Sequence, residues 1–267
     1  MRGEAMICKT YWWNYSLLIL LGGVLSGTAG GADNPSSDTD LKTRGPAGTV
    51  KIAPEPGGAT PKPASLTPQT ALKSLNFKVN YVYRPGGQGV LKPLVDGSVL
   101  NSGDHYKIQF TPEENSYVYI FQVDSSKAIY RLFPMTSFGG IKVDNLNPVR
   151  AGVTYHLPAK DKSFQLDNIV GLESILFLAF RQPNQALEQQ YEELLKARLA
   201  KDNSKADNLQ TTIKSSFKTR GLAAIVDDPE KKATTVQWTS AESFTIPVQR
   251  LDNLCADCVS MISFDHR

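Results

Sequence analysis

This sequence predicts a mainly β fold, an Ig-like antiparallel β-sandwich with an inserted α-helical hairpin, and three observations carry that expectation. Residues 75–83 alternate apolar and polar side chains with a period of two, short apolar runs then recur between turn formers, and residues 184–220 switch to a helical period. A β pattern at this spacing is that of a sandwich, and the helical stretch lies between its strands.

The chain opens on Arg2 and Lys9, then an uncharged stretch from Thr10 to Ala32 whose most apolar part is Leu17 to Leu21. Gly27, Thr28, Ala29, Gly30, Gly31 and Ala32 close it. A charged start, an apolar centre and a small-residue exit make residues 1–32 a secretory signal peptide, cut after Ala29 or Ala32. The alternative is an uncleaved anchor with Trp12 and Trp13 at the membrane interface, which the dilution by Gly22, Gly23, Gly27 and Gly30 argues against. No Cys follows the run, which argues against a lipoprotein leader.

Residues 33–70 hold Pro35, Pro46, Pro54, Pro56, Pro61, Pro63 and Pro68 among Gly, Ser and Thr, with almost no large apolar side chains. Such a segment buries too little surface to offset its ordering entropy, so a disordered linker is expected there. A single domain is expected from 71 to 267.

Within it, Leu75, Phe77, Val79, Tyr81 and Tyr83 mark a half-buried strand that Pro85-Gly86-Gly87 ends. The runs 105–110, 117–123 and 128–133, separated by turn-rich segments, read as a β-meander, and 134–148 reads as a loop. Strands follow at 153–157 and 173–180. The second is apolar on both faces, which places it in the middle of the core.

Asn184 is the expected cap of a first helix burying Leu187, Tyr191, Leu194, Leu195 and Leu199, with Glu192 able to pair with Lys196. A second helix from about Asn203 places Ala206, Leu209, Ile213 and Phe217 on one stripe and stops at Gly221. Strands are expected again at 233–238, 242–248 and 259–264, the last closing a sheet.

The run Ser102-Gly103-Asp104-His105-Tyr106-Lys107-Ile108, then Tyr117 to Ser126, then Leu132-Phe133-Pro134, resembles a bacterial secreted family, domain of unknown function 4384. The similarity continues through Asn147-Pro148-Val149, Ala151-Gly152, Tyr155, Leu157-Pro158 and Gly171-Leu172-Glu173, over residues 98 to 182. It implies an extracytoplasmic domain with an accessory role in sensing or binding, since such domains often accompany peptidase-like or kinase-like catalytic domains. This chain shows no such companion. The alternating Tyr117, Tyr119 and Phe121 read as packing residues, with a ligand platform as the alternative.

Chemistry-bearing residues are few. Cys255-Ala256-Asp257-Cys258 is a candidate structural disulfide, Cys8 being lost with the leader, and an even thiol count suits an oxidising compartment. A metal pair, for which His266 is the nearest further ligand, and a redox pair remain alternatives. His105 and His156 read as satisfied strand residues rather than bases, and no catalytic residue, metal or cofactor is expected. Glu113-Glu114 and Asp227-Asp228 read as turn carboxylates, with calcium as the alternative.

The net charge of +3 is small and the Lys and Arg residues are dispersed, so nucleic acid is not an expected partner. The expected function is a non-enzymatic binding or accessory module of the bacterial cell envelope, periplasmic or secreted, bound to an envelope protein or cell-wall component. It would meet a membrane only if the leader is uncleaved. The alternative is an extracytoplasmic thiol oxidoreductase using Cys255 and Cys258. A third reading gives the docking role to the helical hairpin through Glu188 and Glu192.

Overall fold

The structure is a computed structural model, and it describes residues 74–218, 220–255 and 258–267. The chain divides into two units, Met1–Gln69 and Thr70–Arg267, and every described residue lies in the second. The leader and the linker expected at 1–32 and 33–70 lie outside the described residues.

In chain order the strands are β1 (Leu75–Arg84), β2 (Lys92–Pro93), β3 (Ser98–Leu100), β4 (His105–Pro112), β5 (Tyr117–Val123), β6 (Ile129–Phe133), β7 (Met135–Phe138) and β8 (Ile141–Asn145). There follow β9 (Tyr155–Leu157), β10 (Phe164–Gln165), β11 (Gly171–Phe180), the helices α1 (Gln185–Leu199) and α2 (Asn203–Lys218), then β12 (Gly221–Leu222) and β13 (Ile225–Asp227). The chain closes with β14 (Ala233–Gln237), β15 (Ser243–Pro247), β16 (Gln249–Leu254) and β17 (Cys258–His266).

One sheet runs β10-β4-β1-β16-β13, with β2 added to β1 and β9 to β4; the other runs β12-β17-β11-β5-β6, with β3 added to β17. Pairing is antiparallel except where β12 and β3 lie parallel to β17. Aromatic side chains join the sheets: the Phe177 ring lies 5.1 Å from Phe77 and 5.5 Å from Phe110, and Phe110 lies 5.2 Å from Phe133. Each such fully buried ring contributes about 1.5–3 kcal/mol through apolar burial.

Both outer faces are covered. On the second sheet Tyr119, Phe121, Leu176, Leu178 and Val259 pack against Leu187, Tyr191, Leu194, Ile213 and Phe217 of the helices. On the first sheet Val82 packs against Val236 and Trp238, so the β14–β15 hairpin is its lid. The second unit is therefore a sandwich with a helical hairpin on one side and a β-hairpin on the other. No helix among the described residues is long and apolar enough to cross a membrane.

The sandwich and the inserted helices agree with the sequence reading, as does β11, buried on both faces between β17 and β5. The Asn184 side chain accepts from the Leu187 N–H at 3.1 Å and so caps α1.

Other expectations are corrected. The runs at 105–110, 117–123 and 128–133 are a meander only in their second half: β5 pairs with β6, but β4 pairs with β1 and β5 with β11, so the link between β4 and β5 crosses from one sheet to the other. Glu113 and Glu114 act at that crossing, paired with Arg250 and Arg181 at 2.8 and 2.9 Å, which is structural work rather than cation binding. Residues 134–148 contain the β7–β8 hairpin instead of a plain loop.

β1 is buried on both faces rather than half-buried, because the β-hairpin covers its outer side. Leu199 is 74% exposed, beyond the end of the packed stripe. Glu192 pairs with Arg131 at 3.3 Å. β16, in the middle of the first sheet, went unread because only Leu251 and Leu254 of its six residues are apolar.

Candidate functional site

Three constellations bear on function. The first is the cysteine pair: Cys255 and Cys258 stand at disulfide distance, with Cα atoms 4.9 Å apart. Cys258 begins β17 beside Gly221 of β12, not a helix N-terminus that would lower a thiol pKa. His266 ends the same strand, about 26 Å away at 3.3 Å per residue, so it does not join the sulfurs. Among the described residues no group of three or more His, Cys, Asp and Glu side chains is placed to hold a metal ion.

The second is a buried polar chain between the sheets. The Tyr106 hydroxyl donates to Gln122 at 2.6 Å, the Gln122 amide donates to Glu173, and Glu173 Oε1 lies 2.9 Å from His266 Nδ1. His266 Nε2 lies 3.2 Å from the exposed Ser102 hydroxyl. Burial raises the Glu173 carboxyl, and the hydrogen bonds from Gln122 and His266 oppose that rise.

Carboxylate, imidazole and hydroxyl in that order have the connectivity of a nucleophilic triad. The surroundings argue for a structural role. The N–H groups of Ser102, Gly103 and Asp104 are donated to Arg267, Leu166 and Asn101, so none of the three is left for an oxyanion. The Ser102 hydroxyl also reaches the Arg267 carbonyl, at 3.3 Å. What the chain of bonds does is tie the end of β17 to β11, β5 and β4.

The third constellation is a polar cleft on the first sheet. Alternation along β4 sends Tyr106, Ile108 and Phe110 into the sandwich, and Lys107 and Gln109 to the opposite face, under the β-hairpin. Gln109 stands beside His156 of β9 in the ladder, and with Thr154 and Lys160 the two face Thr234, Thr235 and Gln237 of β14 across about 570 Å³. Ser240 and Glu242 also line it.

Gln109 is 6% exposed; its amide donates to the Thr234 hydroxyl at 3.2 Å, while its Oε1 is buried with no hydrogen-bond partner. A buried acceptor left unpaired costs about 1–3 kcal/mol. Beside it Lys107, 3% exposed, donates to the carbonyls of Lys160, Gln237 and Trp238 at 2.9, 2.6 and 3.1 Å.

Burial pulls the Lys107 ammonium down to about 7, Asp161 opposing and Lys162 reinforcing the shift. Burial and then the charges of Lys107 and Lys160 bring His156 down to about 4, so it is neutral at pH 7. The cleft floor is thus a hydrogen-bonding surface, and the exposed Lys160 is the cation on its lining. Glu242 is already held by Arg84 at 2.5 Å, and the Arg84 guanidinium stacks 4.8 Å from the Phe244 ring.

The other singled-out residues fall elsewhere. His105 bonds Ser163 at 2.8 Å, and burial lowers its pKa against the pull of Asp104. Tyr117, Tyr119 and Phe121 pack under the helices. Asp228 accepts from the Glu230 N–H at 2.8 Å, a turn role. Glu188 accepts from the Tyr119 hydroxyl at 2.5 Å, so it faces the sheet rather than a partner helix.

Sequence reading missed Lys107 and Gln109. They occupy the polar side of an alternating strand, which looks like a solvent face until a hairpin far along the chain covers it.

Neither the comparison with curated proteins nor that with solved structures gives a match. Residues 99–183, from within β3 to the turn before α1, match the family model described as Domain of unknown function (DUF4384).

Proposed function

We propose that this protein is an exported, non-enzymatic binding module of the cell envelope, and that its binding site is the cleft between β4, β9 and β14. The observation that carries the reading is the unpartnered Gln109 Oε1 in a cleft lined by hydrogen-bonding side chains. The leader-like start, the Pro-rich segment after it and the cysteine pair at disulfide distance support export to an oxidising compartment.

The test is to place a photocrosslinking amino acid at Ser240, on the cleft rim, in the full-length chain in its native envelope. One stoichiometric adduct, lost when Gln109→Leu fills the cleft with an apolar group, is the expected result. Adducts indifferent to Q109L, or turnover by the purified chain on a hydrolase and redox panel, would overturn the reading.

A further inference from the structure

The cleft is walled by a strand edge, and that edge is open. In the β14–β15 ladder the Trp238 N–H bonds the Glu242 carbonyl and the Val248 N–H bonds the Lys232 carbonyl, each at 2.8 Å. Hydrogen-bonded pairs alternate with non-bonded ones in an antiparallel ladder, so Val236–Phe244 and Thr234–Ile246 are bonded pairs. Ala233, Thr235 and Gln237 therefore turn their main-chain groups away from β15. Pro247, which has no N–H, sits opposite Ala233 as this phase requires.

The Gln237 carbonyl, on that outward side, is taken by Lys107. Among the described residues no turn, loop or side-chain hydrogen bond reaches the N–H or C=O of Thr235. The contrast with β6 is informative. There the Ile129 N–H bonds Gln210, the Ile129 carbonyl bonds Arg198 and the Arg131 N–H bonds the Tyr191 hydroxyl, so helix side chains cap the edge. One edge is closed by side chains, while the other faces a polar cleft.

Charge narrows the occupant. Lys160 is exposed and makes no ion pair among the described residues, Lys107 lies behind it, and Glu242 is neutralised by Arg84. Resting on the reading of this cleft as the binding site, we propose that it takes an extended acidic peptide segment of a protein partner, which adds to β14 as a third strand beside β15. Main-chain bonds to Thr235 hold the segment, and a carboxylate meets Lys160. β14 is five residues long, which is room for about 16 Å of added strand.

The test selects peptides from a random phage-displayed library on the full-length chain, with chitotetraose as a carbohydrate counter-probe. Expected are enriched peptides rich in Asp and Glu, whose affinity falls at least tenfold on Thr235→Pro, a change that removes an outward N–H without removing a ladder bond. Lys160→Glu should weaken them and reverse the charge preference. N-methylation of alternate peptide residues should abolish binding in one phase and spare it in the other, a readout that does not depend on how a variant folds. No enrichment, or peptides indifferent to T235P and to the phase of methylation, would overturn the proposal. Chitotetraose binding lost in Q109L would make the occupant a carbohydrate, overturning the peptide while leaving the binding module in place. A Ser240 adduct without peptide enrichment would do the same; loss of both would remove both readings.

Discussion

His266 stands opposite Gly171 in the β11–β17 ladder, yet its Nδ1 lies 2.9 Å from Oε1 of Glu173, two residues farther along β11. Gly171 presents no side chain, so the imidazole reaches its diagonal neighbour and both are buried. The pair fixes the end of β17 against the sandwich.

Removing one partner of a buried ionic or hydrogen-bonded pair strands the other. Glu173→Ala should cost about 3–5 kcal/mol in urea unfolding, and Ser102→Ala, at the exposed end of the same chain of bonds, about 1 kcal/mol. A fluorophosphonate should leave Ser102 unlabelled. Labelling lost in S102A would make the constellation catalytic and defeat the non-enzymatic reading.

Lys107 couples stability to alkaline pH. Its folded pKa, about 7, lies below the ordinary lysine value of 10.5, so between these the unfolded chain holds a proton the folded one has released. Stability should therefore rise from pH 7 to 9, and Lys107→Met should flatten that rise. Because K107M also unpairs three carbonyls, amide exchange at Val236 and Trp238 should quicken.

His156 does the same on the acid side. Its folded pKa of about 4 against 6.5 means that the unfolded state binds the extra proton between these values, and stability falls as pH drops through that window. The ring is partly exposed, so the loss is at most about 2 kcal/mol after solvent screening. His156→Gln should remove this part of the acid limb, read as the urea midpoint at pH 4.5 and 6.5.

The cysteine pair should contribute to stability and not to turnover. A bond closing so short a loop stabilises by about 2 kcal/mol in the chain-entropy account. Cys255→Ser with Cys258→Ser should lower the unfolding free energy by that amount and leave peptide selection unchanged. Mixed disulfides with client proteins trapped by C258S alone would favour the oxidoreductase instead.

Ile213 is wholly buried between α2 and the second sheet. Ile213→Ala should cost about 2–5 kcal/mol, from lost transfer energy and the cavity left behind, without altering peptide binding on the far side of the sandwich.

The sequence by itself determined the elements whose signal is local. Alternation placed β1 and β5, Asn184 and the apolar stripes placed the two helices, and an apolar run with two buried faces placed β11, with Leu176 and Phe177 at the centre of the core. It also brought the CxxC spacing and the family resemblance into view. The tertiary structure decided what depends on distant pairing: that β4 and β5 part to different sheets, that the polar β16 is a central strand, and that Lys107 and Gln109 lie beneath residues 233–247 rather than in water. A period of two says which side chains share a face. What covers that face is set by a hairpin more than 120 residues farther along the chain, to which local pattern is blind.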